Sequence, residues 1–534
     1  MLRLTQLTLP LDHGEGELRR AILARLRLAA DDLLAIDIVR RGVDARRRGA
    51  MAFVYTVDLQ LRDEQALLAR LGADRQLGPA PDRNYRFVGK APAALASRPL
   101  VIGAGPCGLF ATLILAQMGF RPLLLERGKT VRERTKDTFA FWRGGELVAE
   151  SNVQFGEGGA GTFSDGKLHT QIRDHGHRGR KVLSELVAAG APAEILYLAK
   201  PHIGTFRLVT VVENLRATIL ALGGEMRFET RVDDLEIEAG QLRGVVVGGG
   251  ERIAADHVLL AAGHSARDSF AMLARRGVAM EAKPFSVGLR VEHPQSLIDR
   301  ARYGRQAGHP QLGAADYKLV HHCANGRSVY SFCMCPGGTV VAAASEAGGV
   351  VTNGMSQYSR SERNANSGLV VGVDPADYPG GPLAGIEYQR HWEQLAFVAG
   401  GGDYAAPAQL VGDFLAGRPS RALGSVQPSY APAVRLTDLA ACLPDYVVAA
   451  LREALPVFAK TIPGFAMADA LLTGVETRTS SPLRILRGAD LQSPGLRGLF
   501  PAGEGSGYAG GIISAAVDGI EVAEALALDM LSAR

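Results

Sequence analysis

The chain has 534 residues, of which 47% are hydrophobic and 21% charged, and this composition excludes disordered, collagen-like and disulfide-scaffold proteins. Its 59 basic and 55 acidic residues leave a formal net charge of +4, which is not that of a dedicated nucleic-acid binder. Five scattered cysteines without zinc-ligand spacing, and the lack of an apolar signal or membrane segment, predict a cytoplasmic protein without a metal site. The 64 glycines indicate many turns where backbone approaches a ligand closely.

The first 90 residues have the pattern of a small α+β module. Alternating apolar residues predict strands at 2–11, 34–43, 51–61 and 85–88, and helical spacing predicts helices at 15–28 and 64–71. This βαββαβ order is typical of a ferredoxin-like fold. The turn residues at 78–81 and the prolines and small residues at 91–99 predict a domain boundary.

One hairpin of this module concentrates positive charge in Arg40, Arg41, Arg46, Arg47 and Arg48. These arginines could contact an anion or RNA. A solvated hairpin tip is the favoured interpretation, because no aromatic residues are interleaved with them. Nucleic acid is therefore an unfavoured partner, although the sequence leaves it open.

A βαβ unit begins at residue 100, where a strand at 100–102 leads through a glycine turn into a helix at 109–118. Gly103, Gly105 and Gly108 spell GxGxxG, which allows a tight turn, close approach of a pyrophosphate and close helix–strand packing. The pyrophosphate would lie at the positive end of the helix. Glu126 ends the next strand, about 20 positions beyond Gly103, where an acid binds ribose hydroxyls. An acid there disfavours a ribose 2′-phosphate and leaves FAD or NAD.

Two further glycine-rich segments, at 152–167 and 498–511, favour FAD. Consecutive backbone N–H groups in the first can surround a phosphate or a flat ring. The second precedes a helix at 512–528, whose N-terminus can face the electron-rich edge of a reduced flavin. Too little chain follows for a second ribose-binding unit, so no dedicated NAD(P)H domain is predicted. Strands at 225–232, 235–237, 242–247 and 252–258 predict a β-meander.

Segments 101–126, 155–168, 258–264 and 503–504 together resemble the glutathione-reductase-type FAD-dependent oxidoreductases. The chain is most similar to a largely uncharacterised bacterial group of FAD-dependent dehydrogenases with an N-terminal ferredoxin-like module. The resemblance implies an α/β fold with a Rossmann-type FAD-binding domain at 98–280, closed by 475–534. It also implies an inserted α+β substrate or cap domain at 281–474 and the N-terminal module at 1–90.

The motifs and the resemblance indicate one set of cofactor-binding residues. In this set Val232 would offer backbone to the adenine, and Gly503-Glu504 would contact the ribityl chain where related families carry Gly-Asp. The full set is Gly103, Gly105, Pro106, Cys107, Gly108, Glu126, Arg127, Gly158, Gly159, Thr162, Ser164, Asp165, Gly166, Val232, Ala262, Gly263, Gly503, Glu504, Gly511 and Ile512.

Four residues are candidates for catalysis. His264 follows the turn near FAD and could carry the proton that accompanies hydride transfer. Lys167 and Arg290 could hold an anionic substrate, and Tyr508 could cover the flavin edge. On an alternating strand Arg290 could instead face solvent or pair with Glu292.

Cys333 and Cys335 are the nearest approach to a redox pair in the sequence. On a regular strand they would share one face, but a bridge between them would be strained, which favours buried packing.

The sequence thus predicts an FAD-dependent oxidoreductase that transfers hydride to or from a small substrate through non-covalently bound flavin. NAD(P)H remains open as a transient donor. Two alternatives remain: a flavin-dependent RNA-modifying enzyme that uses the basic module, and a non-catalytic flavoprotein that senses redox state.

Overall fold

The N-terminal part of the chain forms a four-stranded antiparallel sheet. The computed structural model describes residues 1–46, 50–95, 97–168 and 170–532, so Arg47 and Arg48 lie outside the described residues. The elements are β1 (Leu2–Pro10), α1 (Glu17–Leu26), β2 (Leu33–Asp44), β3 (Ala52–Leu61), α2 (Glu64–Leu71) and β4 (Leu77–Pro79). The sheet order is β2-β3-β1-β4, with every pair antiparallel. Buried residues of α1 and α2 pack with buried leucines of the sheet.

The strand predicted at 85–88 is wrong. The last strand is β4, an edge strand paired only with β1, where Pro79 needs no backbone donor. Tyr85 instead leaves the sheet, and its hydroxyl donates to the Glu524 carboxylate at 2.9 Å. The segment after β4 therefore crosses to the C-terminal helix.

A parallel sheet begins at residue 100. Its region contains β5 (Leu100–Ile102), α3 (Pro106–Gln117), β6 (Leu123–Leu125), α4 (Val131–Trp142), α5 (Arg178–Ala188), α6 (Thr205–Ala221), β7 (Glu225–Arg227), β8 (Val232–Glu238), β9 (Gln241–Val247), β10 (Glu251–Ala254), β11 (Val258–Leu260), α7 (Arg267–Arg275) and β12 (Met280–Ala282). Only β8, β9 and β10 form the predicted meander. The meander prediction is wrong for residues 225–227, which form β7 and pair parallel with β6. Strand β11, which begins where the last predicted meander strand ends, pairs parallel with β5.

A second, seven-stranded sheet occupies the middle of the chain. The elements are β13 (Phe285–Pro294), α8 (Gln295–Tyr303), β14 (Val320–His322), β15 (Ser328–Cys335), β16 (Gly338–Ala342), β17 (Thr352–Ser356), β18 (Asn364–Val373), α9 (Ala384–Ala399), β19 (Ala406–Leu410), α10 (Val411–Ala416), β20 (Val434–Leu436), α11 (Asp445–Thr461) and β21 (Leu471–Glu476). The sheet order is β14-β15-β18-β13-β21-β19-β20. Nearly every residue of β13 and β18 is buried, so this sheet is covered on both faces.

The chain returns to the parallel sheet at its C-terminus, through β22 (Leu483–Ile485), β23 (Leu499–Pro501) and α12 (Ile512–Ser532). The completed parallel order is β23-β11-β5-β6-β7. Residues 107–116 of α3 are all buried, because this helix packs against both the sheet and α12. The carboxyl ends of the parallel strands share one edge, which is where ligands bind in such sheets. Among the described helices, none has the length and apolar character needed to cross a membrane.

Candidate functional site

A cavity of about 560 Å³ opens at the carboxyl edge of the parallel sheet. This volume lies within the range of ~300–1,000 Å³ that is typical of small-molecule sites. One part, which we call the glycine end, is lined by residues 103, 105–107, 156, 159–161 and 510–512. The other part, the charged end, is lined by residues 165–167, 264, 333, 478 and 504. The cavity therefore joins turns of the parallel sheet to side chains of the seven-stranded sheet.

Three glycines shape the turn between β5 and α3. Gly103 has a φ of 101°, and a Cβ there would lie 2.7 Å from the Ala261 carbonyl oxygen. A Cβ on Gly108 would lie 1.8 Å from the Gly103 carbonyl oxygen, so only glycine permits this helix–strand packing. A Cβ on Gly105 would meet only the Gly159 Cα, at 3.8 Å. Gly105 is the residue before α3, so its bare backbone faces the cavity at the helix N-terminus.

Glu126 ties three backbone segments of the glycine end together. Its Oε2 accepts from the Ala104 N–H at 2.7 Å, and its Oε1 accepts from Gly128 at 2.9 Å and Gly156 at 3.0 Å. The side chain is 5% exposed and lines the cavity. Charge-assisted bonds of this kind are stronger than neutral ones, so one carboxylate fixes the relative positions of both glycine segments.

Arg134 of α4 binds the backbone of the glycine-rich loop through its guanidinium. Its guanidinium is fully buried and donates to the carbonyl oxygens of Asn152, Val153, Gly156, Glu157 and Gly159 at 2.7–3.0 Å. These bonds satisfy carbonyls that a buried loop would otherwise leave unpaired. Arg134 was not predicted as a functional residue, because nothing in the local sequence distinguishes it from the other charged residues of α4.

At the charged end, His264 and Glu504 face each other. The His264 Nε2 lies 3.9 Å from the Glu504 Oε1. Burial, with Arg478 and Arg267 nearby, lowers the pKa of His264 to about 3, so the imidazole is neutral. Burial raises the pKa of Glu504 to about 7, so this carboxyl titrates near neutral pH.

A buried ion cluster supports this end. Arg267 donates to Glu393 at 2.8 and 3.0 Å, and Arg478 donates to the same carboxylate at 3.0 and 3.1 Å. Glu346 adds a second carboxylate to Arg267. Although burial opposes ionisation, the two guanidinium groups lower the pKa of Glu393 to about 2. Arg478 is thereby held in place where it lines the cavity.

Lys167 belongs to a second charged group. Its Nζ lies 2.9 Å from Asp165 and donates to the Met334 carbonyl oxygen. Arg360 also donates to Asp165. Although burial alone would raise it, the two cations hold the pKa of Asp165 well below its usual range. Lys167 lines the cavity but is already paired, so its charge is largely balanced.

The other two catalytic candidates lie outside the cavity lining. The interpretation that Arg290 faces solvent or pairs with Glu292 is wrong, because β13 is covered on both faces. Its guanidinium is fully buried and bonds to Glu476 at 2.6 and 3.0 Å. Tyr508 turns away from the cavity: its hydroxyl donates to the Ile485 carbonyl oxygen at 3.0 Å, and its ring packs 3.7 Å from the Arg487 guanidinium carbon.

Most of the sequence-predicted cofactor residues line the cavity. Those that do are Gly103, Gly105, Pro106, Cys107, Glu126, Arg127, Gly159, Ser164, Asp165, Gly166, Val232, Ala262, Gly263, Glu504, Gly511 and Ile512. Four do not: Gly108, Gly158, Thr162 and Gly503. These four residues shape the backbone next to the cavity and do not border it themselves. For example, the Gly158 N–H donates to the Ala104 carbonyl oxygen at 2.8 Å, and the Gly503 N–H donates to Asp518 at 2.7 Å.

Further lining residues were not among the predicted site residues. They are Gln154, Phe155, Thr170, Gln171, Thr230, Arg231, Lys318, Phe332, Cys333, Asn353 and Thr479. The Arg127 guanidinium carbon lies 4.1 Å from the Phe155 ring centroid. The residues at 318–353 reach the cavity because β15 pairs with β18, β18 pairs with β13, and β17 packs against these strands, which no local pattern encodes.

The basic hairpin is partly engaged within the chain. Arg41 exchanges backbone hydrogen bonds with Tyr197 and Ala199, and its guanidinium lies over the Phe53 ring at 5.0 Å. Arg46 pairs with Asp44 at 2.6 Å. Away from the cavity, His321, Cys323 and Glu453 have potential ligand atoms within 4.8 Å of one another, but the His321–Glu453 pair at 2.9 Å already satisfies two of them.

The cavity lining fits the FAD expected from the sequence. Gly105, Gly263, Gly510 and Gly511 all line it, and a Cβ on the last three would meet no protein atom within 4 Å. Bare backbone next to the N-terminus of α3 is the arrangement that a pyrophosphate needs. The cavity also extends to polar groups that could orient a flavin ring.

Comparison with known proteins adds the family. Residues 284–479 match the family described as "FAD-dependent protein, C-terminal domain-like", and residues 1–60 match "Domain of unknown function (DUF8436)". An uncharacterized protein of Clostridium beijerinckii is 49% identical over 525 residues, which is 98% of each chain.

Among solved structures, halogenase PltM aligns at 12% identity over 82% of this chain and 69% of that one, with a TM-score of 0.40. Glycine oxidase from Bacillus cereus aligns at 11% identity over 81% of this chain and 95% of that one, with a TM-score of 0.32. Similarities this low decide nothing about this chain.

The match over residues 284–479 covers the seven-stranded sheet and includes Cys333 and Arg478 of the charged end. The cofactor of the protein is FAD. Because the alignment with the Clostridium beijerinckii protein is nearly complete and close to half identical, the chain belongs to the same family as that protein, with a C-terminal domain of the FAD-dependent type.

Proposed function

We propose that this protein is an FAD-dependent oxidoreductase that transfers hydride between the flavin and a small substrate. One observation carries the proposal: a single cavity joins the glycine end, suited to a dinucleotide, to the charged end, which has a group that titrates near pH 7. FAD supplies two-electron redox chemistry when it is bound, and the protein supplies orientation and electrostatics.

The glycine end would hold the nucleotide part of FAD. The bare backbone at Gly105 and the N-terminus of α3 would receive the pyrophosphate. Glu126 retains lone pairs beyond its three backbone bonds, so it can also accept from ribose hydroxyls. Arg134 would act indirectly, because its bonds to the loop carbonyl oxygens hold the shape of the loop that lines the cavity.

The charged end would handle the substrate and its proton. The Glu504 carboxyl, with a pKa of about 7, can hold a proton on Oε1 or release it at physiological pH. Neutral His264, 3.9 Å away, can donate or accept a hydrogen bond without carrying net charge. Arg478, whose charge is shared with the Glu393 carboxylate, lines the cavity and could donate to an electron-rich oxygen or a carboxylate of the substrate.

We also propose the finer classification and the domain division. The order β2-β3-β1-β4 supports a ferredoxin-like module at 1–90, and the parallel order β23-β11-β5-β6-β7 supports a Rossmann-type domain at 98–280 and 475–534. The intervening 281–474 would be the substrate or cap domain. The GxGxxG turn with Glu126 supports placement in the glutathione-reductase-type group.

The test starts from the purified protein. We expect a bound-flavin absorption spectrum, and we expect one class of donor to bleach it without oxygen. NADH and NADPH are tried first, followed by a panel of small hydroxy and amino acids. The Gly105→Ala variant should be colourless, whereas Gly372→Ala, which meets nothing within 4 Å and lies outside the cavity lining, should keep the flavin. A wild-type protein that remains colourless after FAD is added contradicts the proposal. Flavin that no donor reduces favours the redox-sensor alternative.

A further inference from the structure

His264 is held at its Nδ1 side by a chain of hydrogen bonds that starts at the backbone. The Gln154 Nε2 donates to the Ala343 carbonyl oxygen at 3.3 Å, and the Ser265 hydroxyl donates to the Gln154 Oε1 at 3.1 Å. The Ser265 Oγ in turn lies 3.3 Å from the His264 Nδ1. Gln154, Ser265 and His264 all line the cavity, so the chain runs along its wall from the backbone to the imidazole.

The direction of every bond in this chain follows from its first member. A backbone carbonyl oxygen can only accept, so the Gln154 amide must present its NH₂ group to Ala343 and its oxygen to Ser265. The amide oxygen also can only accept, so the single hydroxyl proton of Ser265 is donated to it. The Ser265 Oγ must therefore accept from His264, and the proton of the imidazole lies on Nδ1.

The charges around His264 keep the imidazole neutral. Burial, followed by Arg478 and Arg267, lowers the pKa of His264 to about 3, while Glu393 opposes this shift. Both guanidinium groups bind the Glu393 carboxylate, which reduces their repulsion of a cationic ligand. A neutral imidazole has one N–H, and since this lies on Nδ1, the Nε2 carries a lone pair and can only accept.

Glu504 has two further neighbours, Lys283 and Cys333. Burial raises the pKa of Glu504 most, Lys283 lowers it, and Cys333 raises it further. Cys333 lines the cavity because the pairing of β15 with β18 shifts register between Phe332 and Cys335, and its φ is 42°. Cys335 is completely buried, so the expectation that the two cysteines share one face of a regular strand is wrong.

The His264 Nε2 and the ionised Glu504 carboxylate thus form a pair of acceptors. The Nε2 lies 3.9 Å from the Glu504 Oε1, which is too far for a direct hydrogen bond, and no residue in the described part of the chain donates to either atom. A ligand atom about 2.9 Å from each of them would bridge the pair. A hydroxyl group has one proton to donate, whereas a primary amino group has enough N–H donors for both acceptors.

We propose that Gln154 and Ser265 are positioning residues that fix His264 as its Nδ1–H tautomer, and that Nε2 and Glu504 together bind a primary amino group of the substrate. The proposal rests on the proposed function and names its substrate class. An ammonium group gives one proton to the ionised Glu504 carboxylate and stays bonded to Nε2 as a neutral amine. The adjacent C–H bond then breaks, its hydrogen and electron pair pass to the flavin as hydride, and the nitrogen lone pair forms the C=N bond of an iminium product.

The first test determines the tautomer of His264 in the FAD-loaded protein by NMR of isotope-labelled ring nitrogens, assigned by their loss in His264→Asn. We expect a protonated Nδ1 and a bare Nε2 in the wild type. Ser265→Ala and Gln154→Leu should shift the population towards Nε2–H, whereas Gln154→Glu keeps an acceptor for Ser265 and should keep Nδ1–H. The control is Ser359→Ala, which loses an exposed serine contact outside the cavity lining and should change nothing. A protonated Nε2 in the wild type overturns the proposal.

The second test compares propylamine and propanol, which differ only in the amino and hydroxyl groups. Propylamine should displace the His264 Nε2 signal of the FAD-loaded wild type at a concentration about tenfold lower than propanol, and Ser265→Ala should weaken propylamine binding about tenfold. Equal affinities of the two probes overturn the proposed amino-group site. A protein that binds no FAD removes the proposed function, whereas FAD binding with a protonated Nε2 removes only the positioning role of Gln154 and Ser265.

Discussion

The two ends of the cavity are built in different ways. The glycine end depends on backbone: Gly103 and Gly108 leave no room for a Cβ, and Glu126 fixes the backbone around them. The charged end depends on side chains that meet across large sequence separations, such as Arg267 with Glu393 and Arg290 with Glu476. One end is a property of short local segments, and the other is a property of the assembled sheets.

This difference predicts different responses to substitution. At the glycine end a single methyl group either breaks the fold or blocks the ligand, depending on the direction in which it points. At the charged end the loss of one charge leaves its buried partners uncompensated, which costs stability first and ligand binding second.

The largest losses of stability and of FAD affinity are expected at the glycine end. Gly108→Ala places a methyl 1.8 Å from the Gly103 carbonyl oxygen, so we expect a loss of more than about 3 kcal/mol in the free energy of unfolding. Gly105→Ala meets only the Gly159 Cα, at 3.8 Å, and should fold with a change of about 1 kcal/mol. It should nevertheless weaken FAD binding about 100-fold, because the methyl enters the space that a pyrophosphate needs.

Thermal unfolding of the FAD-free proteins and FAD titration measure the two quantities separately. Gly372→Ala is the matched control, since its Cβ meets nothing within 4 Å. Wild-type FAD affinity in Gly105→Ala would mean that the pyrophosphate does not lie at this turn.

The next largest loss of stability is expected in the buried ion cluster around Glu393. Glu393→Gln leaves Arg267 and Arg478 without their shared carboxylate, so we expect a loss of about 3–5 kcal/mol at pH 7. Because the pKa of Glu393 is lowered to about 2 in the folded protein, its contribution is complete above the ordinary pKa of about 4.5. It is lost as the pH falls towards 2, so the difference between the variant and the wild type should narrow there.

Urea unfolding at pH 7, 4 and 3 checks this expectation. The control is Glu387→Gln on the same helix, whose carboxylate is 68% exposed and should contribute less than about 1 kcal/mol. A variant within 1 kcal/mol of the wild type at pH 7 would show that the cluster is not a stabilising element.

The same difference explains what could be predicted from the sequence. The GxGxxG turn, Glu126 and the two glycine-rich segments are local patterns with a defined backbone geometry, and the structure brings most of their residues to one cavity. The order of the parallel strands follows partly from the βαβ unit. The position of β7 in this order could not be predicted, because its three residues resemble the start of the neighbouring meander.

The charged end could not be predicted for the opposite reason. An alternating strand pattern places Arg290 equally well in solvent and in a sheet covered on both faces, and its partner Glu476 is 186 positions away. Cys333 reaches the cavity through a bulge, and no sequence pattern marks a positive φ at a cysteine. Tyr508 lies close in sequence to the predicted flavin contacts, but its hydroxyl bonds to the β22 backbone.

A smaller effect is expected at Glu504, and it depends on pH. Its pKa is raised to about 7 in the folded protein, whereas in the unfolded chain the carboxyl ionises around pH 4.5. The wild type therefore loses stability as the pH rises from about 4.5 to 7, and the loss is complete above that range. Glutamine does not ionise, so the Glu504→Gln variant should not lose this stability. Its free energy of unfolding should equal that of the wild type at pH 4.5 and exceed it by about 1 kcal/mol at pH 8. The difference is moderate because 28% of the Glu504 side chain is exposed to the cavity.

Urea midpoints of the FAD-free proteins at pH 4.5, 6 and 8 measure this trend. An advantage of the same size at every pH would show that the carboxyl of Glu504 titrates normally and is not the proton-holding group of the charged end.

The smallest effect is expected for Tyr508→Phe. The change removes one hydrogen bond to the Ile485 carbonyl oxygen and keeps the ring on Arg487, so the free energy of unfolding should fall by about 0.5–1.5 kcal/mol. FAD affinity and the rate of flavin reduction should stay at the wild-type level, because the hydroxyl points away from the cavity. Tyr85→Phe, which loses the bond to Glu524, is a matched control for loss of a tyrosine hydroxyl. A tenfold change in flavin reduction in Tyr508→Phe alone would mean that the tyrosine turns towards the flavin once the cavity is filled, and the cavity lining would then have to include the segment between β23 and α12 that carries Tyr508.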